Sequence, residues 1–499
     1  MIIILLLTTV LAVLIVRQYQ KARKLPPGPL SLPLIGNIHQ LVYYVWKKKG
    51  IEGAFDFFRK TYGNVFTLWF GPIPHVSICD YETSQEVFVK NGNKYKDRFL
   101  PPIFEHFSNN NGMFAVNGEV WAEMRRFTLL TFRTMGVGRD LMEEKILNEL
   151  NLRFSEIDES AVNGKTIVHT SEFFDLTVGS IINSVLIGKR FEAHNKEEFL
   201  KLKEILSATD EVFSIFDLTV PVWILKLLCP GRYATLMEAQ EKVLSFLSKE
   251  AVARYEKFQA GEYTINSENP EDFVDAYLTK MEQENQSGRP TIYTLECLKH
   301  VIKDLWIAGQ ETTSATLISA LNHLVNHPEV VKKCRDEILR ITDNGSRQLL
   351  LKDRAESHYL NATIAEIQRC ASVLTLNFWR INHETATVNG HPLDSGAIIT
   401  AQLGVLHVNN DIFVEPEKFN PERFIENGKL LNQIIPFGIG KRSCVGENIA
   451  KSEIYLMIGN LLLRYDIQPH GELPSTENQV PYSVGKIPDK SVRLEFTKF

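Results

Sequence analysis

Near its C-terminus the chain reads Phe437-Gly438-Ile439-Gly440-Lys441-Arg442-Ser443-Cys444-Val445-Gly446, a stretch whose residue types could hold a metal. The pattern is F-x-x-G-x-R-x-C-x-G. The run that follows, Glu447 to Leu463, has helical periodicity. A thiol just ahead of a helix start feels the positive end of the helix dipole and free backbone N–H groups. Both lower its pKa and favour the thiolate, the form that binds metals. The glycines let the loop pass close to a flat cofactor without Cβ clashes. Five specified positions make a chance match rare, roughly one in ten thousand chains of this length.

Other readings of the loop are weaker. Gly440-Lys441 hints at a phosphate loop, but such a loop needs glycine where Ile435 stands and Ser or Thr where Arg442 stands. A zinc site needs further ligands, and no second cysteine or histidine lies nearby in sequence. A buried structural cysteine is the ordinary expectation for an isolated thiol, and the loop around Cys444 argues against it.

Three more constellations carry possible chemistry. Inside the long apolar segment Thr294–Asn326 lies Ala308-Gly309-Gln310-Glu311-Thr312-Thr313, which puts a carboxylate and a hydroxyl in an apolar setting. Its bland readings are small residues that let helices pack and a threonine bonded back to its i−4 carbonyl. Glu366-Ile367-Gln368-Arg369 is E-x-x-R at helix spacing, by itself an ordinary ion pair worth a few tenths of a kcal/mol. Trp121-Ala122-Glu123-Met124-Arg125 puts an indole N–H and a guanidinium on one helix face, which suits a carboxylate or a simple stack.

The elements that must position these residues are mostly helical. Helical periodicity covers Glu119–Asn163, Glu172–Ile187, Lys196–Phe213, Tyr233–Ala260, Asp272–Glu284, Thr294–Asn326, Glu329–Thr342, Asn361–Cys370 and Glu447–Arg464. Strand patterns are fewer. Val65–Phe70 and His75–Cys79 flank a hairpin signal, Thr385–Val388 and Ile398–Gln402 flank turn residues, and Ser491–Thr497 alternates. The expected fold class is mostly α with a small β region (α+β), one catalytic domain behind an N-terminal membrane anchor.

Residues Met1 to Val16 are apolar except for Thr8 and Thr9, and as a helix they would span about 24 Å. Arg17, Lys21, Arg23 and Lys24 follow, with no acidic residue before Glu52. Charge after the apolar run, and no small-x-small site, point to an uncleaved signal anchor whose basic flank stays cytoplasmic. Pro26-Pro27-Gly28-Pro29 then makes a stiff, non-helical stretch. The expected organisation is therefore 1–24 anchor and basic flank, 25–50 proline-rich hinge and start of the body, and 51–499 the catalytic domain. A net charge of −5 gives no reason to expect nucleic acid as a partner. Six scattered cysteines without a C-x-x-C pair suggest reduced thiols and a cytosol-facing body.

Five motifs in order resemble the cytochrome P450 family, the haem-thiolate monooxygenases, in its animal microsomal type, and the resemblance spans nearly the whole chain, from the anchor and proline segment to the C-terminal strand. The fifth is Phe419-Asn420-Pro421-Glu422-Arg423-Phe424, similar to the family's P-E-R-F segment. The resemblance implies a haem b (heme) whose iron takes Cys444 as axial thiolate, with Phe437 and Arg442 in the cofactor loop. Trp121 and Arg125 match a propionate-binding pair, and Arg380 and Arg98 match further propionate arginines. Thr312 and Glu311 match the residues that serve oxygen activation and proton relay, on a helix locally opened by the threonine hydroxyl. Glu366, Arg369 and Arg423 match a buried structural triad. Substrate-pocket positions are Phe99, Phe107, Phe114, Ala308, Leu374, Leu376 and Val484, an apolar wall for a lipophilic substrate such as a fatty acid, a sterol-like molecule or a xenobiotic. The chain departs from many relatives in having Trp379 where they have proline.

Such an enzyme inserts one oxygen atom of O2 into substrate. With no nicotinamide or flavin fingerprint in the chain, the resemblance implies electrons from NADPH through a separate membrane reductase, with cytochrome b5 as a further candidate donor. Arg126, Arg133 and Lys441 are candidate docking cations. The implied location is the endoplasmic reticulum membrane, with a single-pass transmembrane anchor and a cytosolic body. A haem-thiolate isomerase or dehydratase, and a non-catalytic haem-binding protein, are the alternatives.

Overall fold

The computed structural model describes residues 2–33, 35–136, 140–191, 196–212, 217, 220–480 and 485–499; for 2–8, 10, 11, 140 and 207–212 it describes backbone only. Val484 lies outside the described residues. The chain forms two compact units, each drawn from three separated stretches. One comprises Met1–Phe99, Ala365–Cys444 and Glu477–Pro488; the other comprises Leu100–Ile364, Val445–Thr476 and Asp489–Phe499. Because the chain passes between them repeatedly, no linker marks the division in the sequence.

The first unit contains helices α1 (Ile2–Ala22), α2 (Ile38–Lys47), α3 (Ile51–Tyr62) and α4 (Tyr81–Gln85), then, after the second unit's elements, α16 (Leu403–His407) and α17 (Glu422–Glu426). Its five-stranded sheet has the order β1 (Val65–Phe70), β2 (Ile73–Ile78), β8 (Ile398–Ala401), β5 (Arg380–Ile381), β3 (Asp97–Arg98). The hairpin β1–β2 pairs Val65 with Ile78, as the flanking of Gly71-Pro72 suggested. Ile398–Ala401 does not join the neighbouring hairpin β6 (Ala386–Val388) and β7 (His391–Leu393); it runs parallel to β2 instead. One face of the large sheet packs Val65, Val76, Ile78, Ile399 and Ile439 into a core, and the other packs Phe66 and Leu68 against Phe55 and Phe58 of α3.

α1 extends past the expected apolar run through Arg17 and Lys21, so the first half of the basic flank is itself helical, while Arg23 and Lys24 lie in the turn that follows. Among the described residues no helix is long and apolar enough to cross a membrane. The proline stretch lies along β1, where Thr67 N donates to Pro27 O at 2.9 Å. A Cβ at Gly28 would stand 2.0 Å from Thr67 O. Asn37 locks the next turn by accepting from Trp69 N (2.8 Å) and donating to Leu30 O (3.1 Å).

The second unit is the helical one: α5 (Pro102–Ser108), α6 (Gly118–Thr134), α7 (Asp140–Glu159), α8 (Thr170–Ile187), α9 (Lys196–Val212), α10 (Val222–Leu228), α11 (Pro230–Gln259), α12 (Phe273–Gln286), α13 (Leu295–Val325), α14 (Pro328–Ile341) and α18 (Glu447–Arg464). α15 (His358–Ala371) begins in this unit and ends in the other. β4 (Lys165–His169), β10 (Arg493–Lys498) and β9 (Tyr465–Pro469) make a small antiparallel sheet. The single stretch expected over Glu119–Asn163 is two helices, α6 ending in a turn at Met135-Gly136, where Gly136 has φ 71°. α13 starts where Thr294 caps Cys297 N at 3.1 Å, satisfying one of the open donors of its first turn. α18 runs from Glu447 to Arg464, as its periodicity suggested.

His75 of β2 is fully buried, stacked on Phe70 with ring centroids 4.9 Å apart. Neither ring nitrogen has a hydrogen-bond partner among the described residues. Burial lowers its pKa to about 3. Unfolded chains take up that proton below about pH 6.5. Stability is therefore complete above that value and declines as pH falls towards about 3, by up to about 1.4 kcal/mol per pH unit for this group. In acid unfolding, His75→Leu should flatten the loss of stability between pH 6.5 and 4; an unchanged slope would contradict the burial of a neutral imidazole.

Candidate active site

In the first unit the cysteine loop is built around two glycines with positive φ, Gly438 (71°) and Gly440 (82°). A Cβ at Gly440 would stand 2.1 Å from Phe88 O, and one at Gly438 would stand 2.6 Å from Asn377 Oδ1. At Gly440 no larger residue fits without moving backbone, and at Gly438 one would push the Asn377 side chain aside and strain a positive φ. Cys444 N donates to Phe437 O at 2.9 Å and Ser443 N to Gly440 O at 3.0 Å, which closes the loop. Three residues after Cys444, at Glu447, α18 begins. Cys444 is exposed, whereas Cys79, Cys297 and Cys334 are buried. Burial pushes the thiol of Cys370 up to about 12, so that cysteine stays protonated and inert.

Three of the expected cofactor arginines belong to this unit. Arg98 of β3 and Arg380 of β5 are direct cross-strand partners. Like charges facing each other across strands are destabilising, and Arg380 is almost fully buried. Arg442, also buried, donates from Nε to Lys96 O at 2.8 Å, two residues before Arg98. Such a concentration of guanidinium suits carboxylate groups, which arginine grips with paired hydrogen bonds. An exposed thiol in a loop with two positive-φ glycines and a cross-strand arginine pair thus fit a metal-bearing ligand with carboxylate arms. Trp121 and Arg125 lie in the second unit, one turn apart on α6, with Trp121 buried and Arg125 half-buried.

Glu366, Arg369 and Arg423 come together. Arg369 reaches both oxygens of Glu366 at 2.8 Å, and Arg423 Nε lies 3.2 Å from Glu366 Oε1. Burial works against the charge on Arg369, but its hydrogen bonds and Coulomb attraction to Glu366 outweigh it, and its pKa is raised.

Two residues that the sequence reading missed join this triad to the cysteine loop. Arg369 Nη1 donates to His407 O (2.8 Å), and His407 Nε2 accepts from Ile435 N (3.1 Å), just before Phe437. His407 Nδ1 therefore carries the proton and donates to Ser372 Oγ at 2.6 Å. Burial lowers the pKa of His407 to about 3, so it is neutral. Asn377 bonds the N–H and the C=O of Ile439 (3.4 and 3.3 Å) and accepts from Arg380 Nη2 at 3.4 Å. Nothing in the sequence marks either residue beyond being polar among apolar neighbours.

In the second unit α13 carries the Ala308–Thr313 segment. Gly309 packs on α8, where an added Cβ would stand 3.0 Å from Ile182 Cδ1, so the glycine has a packing task. Thr312 Oγ1 donates to Ala308 O at 2.7 Å and the helix runs unbroken. This corrects the expectation of a local opening: the hydroxyl answers its own i−4 carbonyl. Glu311 Oε1 lies 2.5 Å from Lys203 Nζ. Thr313 hydrogen-bonds the buried Glu453 of α18, whose pKa burial raises to about 8.

The pocket positions divide between the units. Phe99, Leu374 and Leu376 belong to the first, and Phe107, Phe114 and Ala308 to the second. Phe107 packs against the Ile103–Leu225–Leu236 cluster. Phe114 N and Met113 N both donate to Asp304 Oδ2 of α13 at 2.8 Å. Ala308 is exposed although Trp306 and Gln310 beside it are buried. A surface recess of about 530 Å³ lined by Glu119, Glu123 and Tyr293 contains none of these positions.

A family model for cytochrome P450 matches residues 26–493. The protein named probable cytochrome P450 cyp-35D1 of Caenorhabditis elegans is 52% identical over 500 residues, covering 100% of both chains. Cytochrome P450 2C55 of Rattus norvegicus is 32% identical over 476 residues, 94% of this chain and 93% of its own. Cytochrome P450 2H1 of Gallus gallus is 32% identical over 477 residues, 93% and 92% of the two chains. This chain belongs to the cytochrome P450 family. It is an oxidoreductase of the monooxygenase type, and family members bind haem b through an axial cysteine thiolate and use NADPH through a reductase.

Replacing Glu366 by Gln leaves two buried guanidiniums facing an amide. The expected cost is about 3–5 kcal/mol, as when one partner of a buried ion pair is removed. Chemical denaturation should show it as a lower unfolding midpoint; a wild-type midpoint would mean the triad does not hold the unit together.

Proposed function

We propose that this chain inserts one oxygen atom of O2 into a lipophilic small molecule (a fatty acid, a sterol-like compound or a xenobiotic), with electrons from a membrane NADPH–cytochrome reductase. Cytochrome b5 is a further candidate donor. The observation that carries the proposal is the exposed Cys444 thiol in a loop closed by Gly438 and Gly440. Haem b supplies thiolate-ligated iron, whose electron-rich state favours O–O cleavage. Cys444 would hold its iron. Arg442, Arg98 and Arg380 would pair with its propionates together with Trp121 and Arg125, and Phe437 would line the loop. Thr312 would leave Ala308 O to serve a proton at the reacting oxygen, and Glu311 would exchange protons with solvent.

Lipophilic substrate is supported by Phe99, Phe107, Phe114, Leu374 and Leu376, all apolar, and by the exposed Ala308 in the middle of a mostly buried helix. For reductase docking, Lys441 and Arg133 are exposed, while Arg126 is engaged with Glu123 at 2.5 Å.

Reduced, haem-loaded protein with carbon monoxide should show the red-shifted Soret band of thiolate ligation, and Cys444→Ser should abolish it while substitution of the other cysteines leaves it intact. Substrate-dependent NADPH consumption with reductase separates the monooxygenase from an isomerase or a passive haem binder, neither of which needs it. A Cys444→Ser protein that keeps the band would overturn the ligand assignment.

The N-terminal helix would serve as signal anchor with residues 25–499 on the cytosolic face of the endoplasmic reticulum. The charge order Arg17, Lys21, Arg23, Lys24 after the apolar run supports this. Removing residues 1–24 should loosen membrane attachment and keep the haem. Three N-x-S/T sequences report on orientation: Asn285 and Asn344 are exposed, whereas Asn361 donates to Arg354 O at 2.7 Å and is less available. Protein made in a eukaryotic host should carry no glycan; a glycosidase-sensitive mass shift would place the body in the lumen.

A further inference from the structure

Glu311 belongs to a charged cluster that spans three helices and the segment before β10. Lys203 of α9 lies 2.5 Å from Glu311 Oε1 and 3.2 Å from Asp175 Oδ2 of α8. Asp175 Oδ1 accepts from Gln310 Nε2 at 3.2 Å, and the same amide also donates to Asp175 O (3.1 Å) and Ser314 Oγ (3.2 Å). Lys490 Nζ stands 3.8 Å from Glu311 Oε2, beyond hydrogen-bond reach. Side-chain exposure is 11% for Asp175, 17% for Lys203, 34% for Glu311 and 42% for Lys490, so the cluster opens outward along that order.

The two oxygens of Glu311 are therefore unequal. Oε1 is held by a shielded ammonium that is itself seated on a buried carboxylate. Oε2 faces the exposed end of the cluster. Burial works against the charge on Lys203, but Glu311 and Asp175 outweigh it, so the ammonium persists at neutral pH. Fully exposed lysine–carboxylate pairs contribute little. This one is fixed from below by Asp175, which also fixes Gln310, the residue next to Glu311.

We propose that Lys203, seated on Asp175, is the positioning residue of Glu311: it holds Oε1 and leaves Oε2 as the oxygen that exchanges protons with solvent. The inference rests on the proton-delivery role proposed for Glu311. Without this contact the carboxylate swings freely, and proton delivery slows relative to loss of reduced oxygen. Two electrons from NADPH and two protons then convert O2 to hydrogen peroxide, which leaves without entering product.

The test uses the full-length haem-loaded enzyme with reductase and a turned-over substrate, in Lys203→Met, Lys203→Arg, Glu311→Gln and the Lys203→Met/Glu311→Gln double variant. Product and peroxide per NADPH, the solvent isotope effect on turnover, and thermal midpoints are measured. Lys203→Met should lower product per NADPH several-fold, raise peroxide correspondingly and change the isotope effect. Lys203→Arg should restore most of the coupling. The double variant should couple no worse than Glu311→Gln alone, and its midpoint shift should be smaller than the sum of the single shifts, which reads the contact independently of turnover. Wild-type coupling and isotope effect in Lys203→Met, even with a lower midpoint, would reduce Lys203 to a structural residue and overturn the proposal. Wild-type coupling in Glu311→Gln would remove the proton-delivery reading itself, and this proposal with it.

Discussion

Glu366 Oε1 accepts three hydrogen bonds: from Arg369 Nη2 (2.8 Å), from Asn420 N (2.9 Å) and from Arg423 Nε (3.2 Å). A carboxylate with no exposed surface is affordable only when its lone pairs are so filled. The cations in turn need acceptors, and the backbone supplies them. Arg369 takes His407 O and Lys418 O, while Arg423 takes Val414 O, Glu415 O and Lys418 O. One buried charge thus organises the irregular chain between α16 and α17, which has no regular hydrogen-bond ladder of its own. From His407 the constraint passes to Ile435 N, and from there into the loop that ends at Cys444. A loop that presents a thiol to a metal must hold its position before the ligand arrives, and a fully satisfied buried ion network is a stiff means of holding it.

The cysteine loop and the longest helices were legible in the sequence because they depend on local rules. Gly438 and Gly440 stand where a positive φ is required, and α18 repeats its apolar residues at helical spacing over 18 residues. α16 and α17 have five residues each, too short to show a period, and they went unread. β8 was visible as a strand, but its parallel pairing with β2 joins residues more than three hundred positions apart, which alternation cannot reveal. Asn377, His407 and Lys203 were missed for the same reason. Each acts through partners remote in sequence, and a lone polar residue carries no local sign of who its partner will be. Glu366–Arg369 was readable as a pair, because both sit on one helix. That they are buried follows from packing and not from their spacing.

On α13 four consecutive side chains go four ways. Gln310 is tied to Asp175, Glu311 to Lys203, Thr312 to its own helix and Thr313 to Glu453. A helix turns about 100° per residue, so adjacent positions address different neighbours. The motif's density of polar residues therefore does not mean that all of them face one ligand. Two are packing and anchoring residues for α8 and α18. Their burial fixes the rotation of the helix about its axis, and with it the direction of the other two.

That fixed rotation bears on the back-bond of Thr312. Its hydroxyl lies 2.7 Å from Ala308 O, and Thr316 repeats the arrangement on Thr312 O at 2.8 Å. Releasing one such hydrogen bond costs about 0.5–1.5 kcal/mol, since the carbonyl keeps its bond within the helix. Moving the helix itself would cost far more. At Gly309 there is no room even for a Cβ without pressing on Ile182 of α8, and Gln310 is held at two points on Asp175. The cheap motion at this segment is therefore a side-chain rotation of Thr312 on a stationary backbone. A hydroxyl that can leave its own carbonyl for a small cost, on a helix that cannot move, is suited to donate when an acceptor is present and to fall back when it is not.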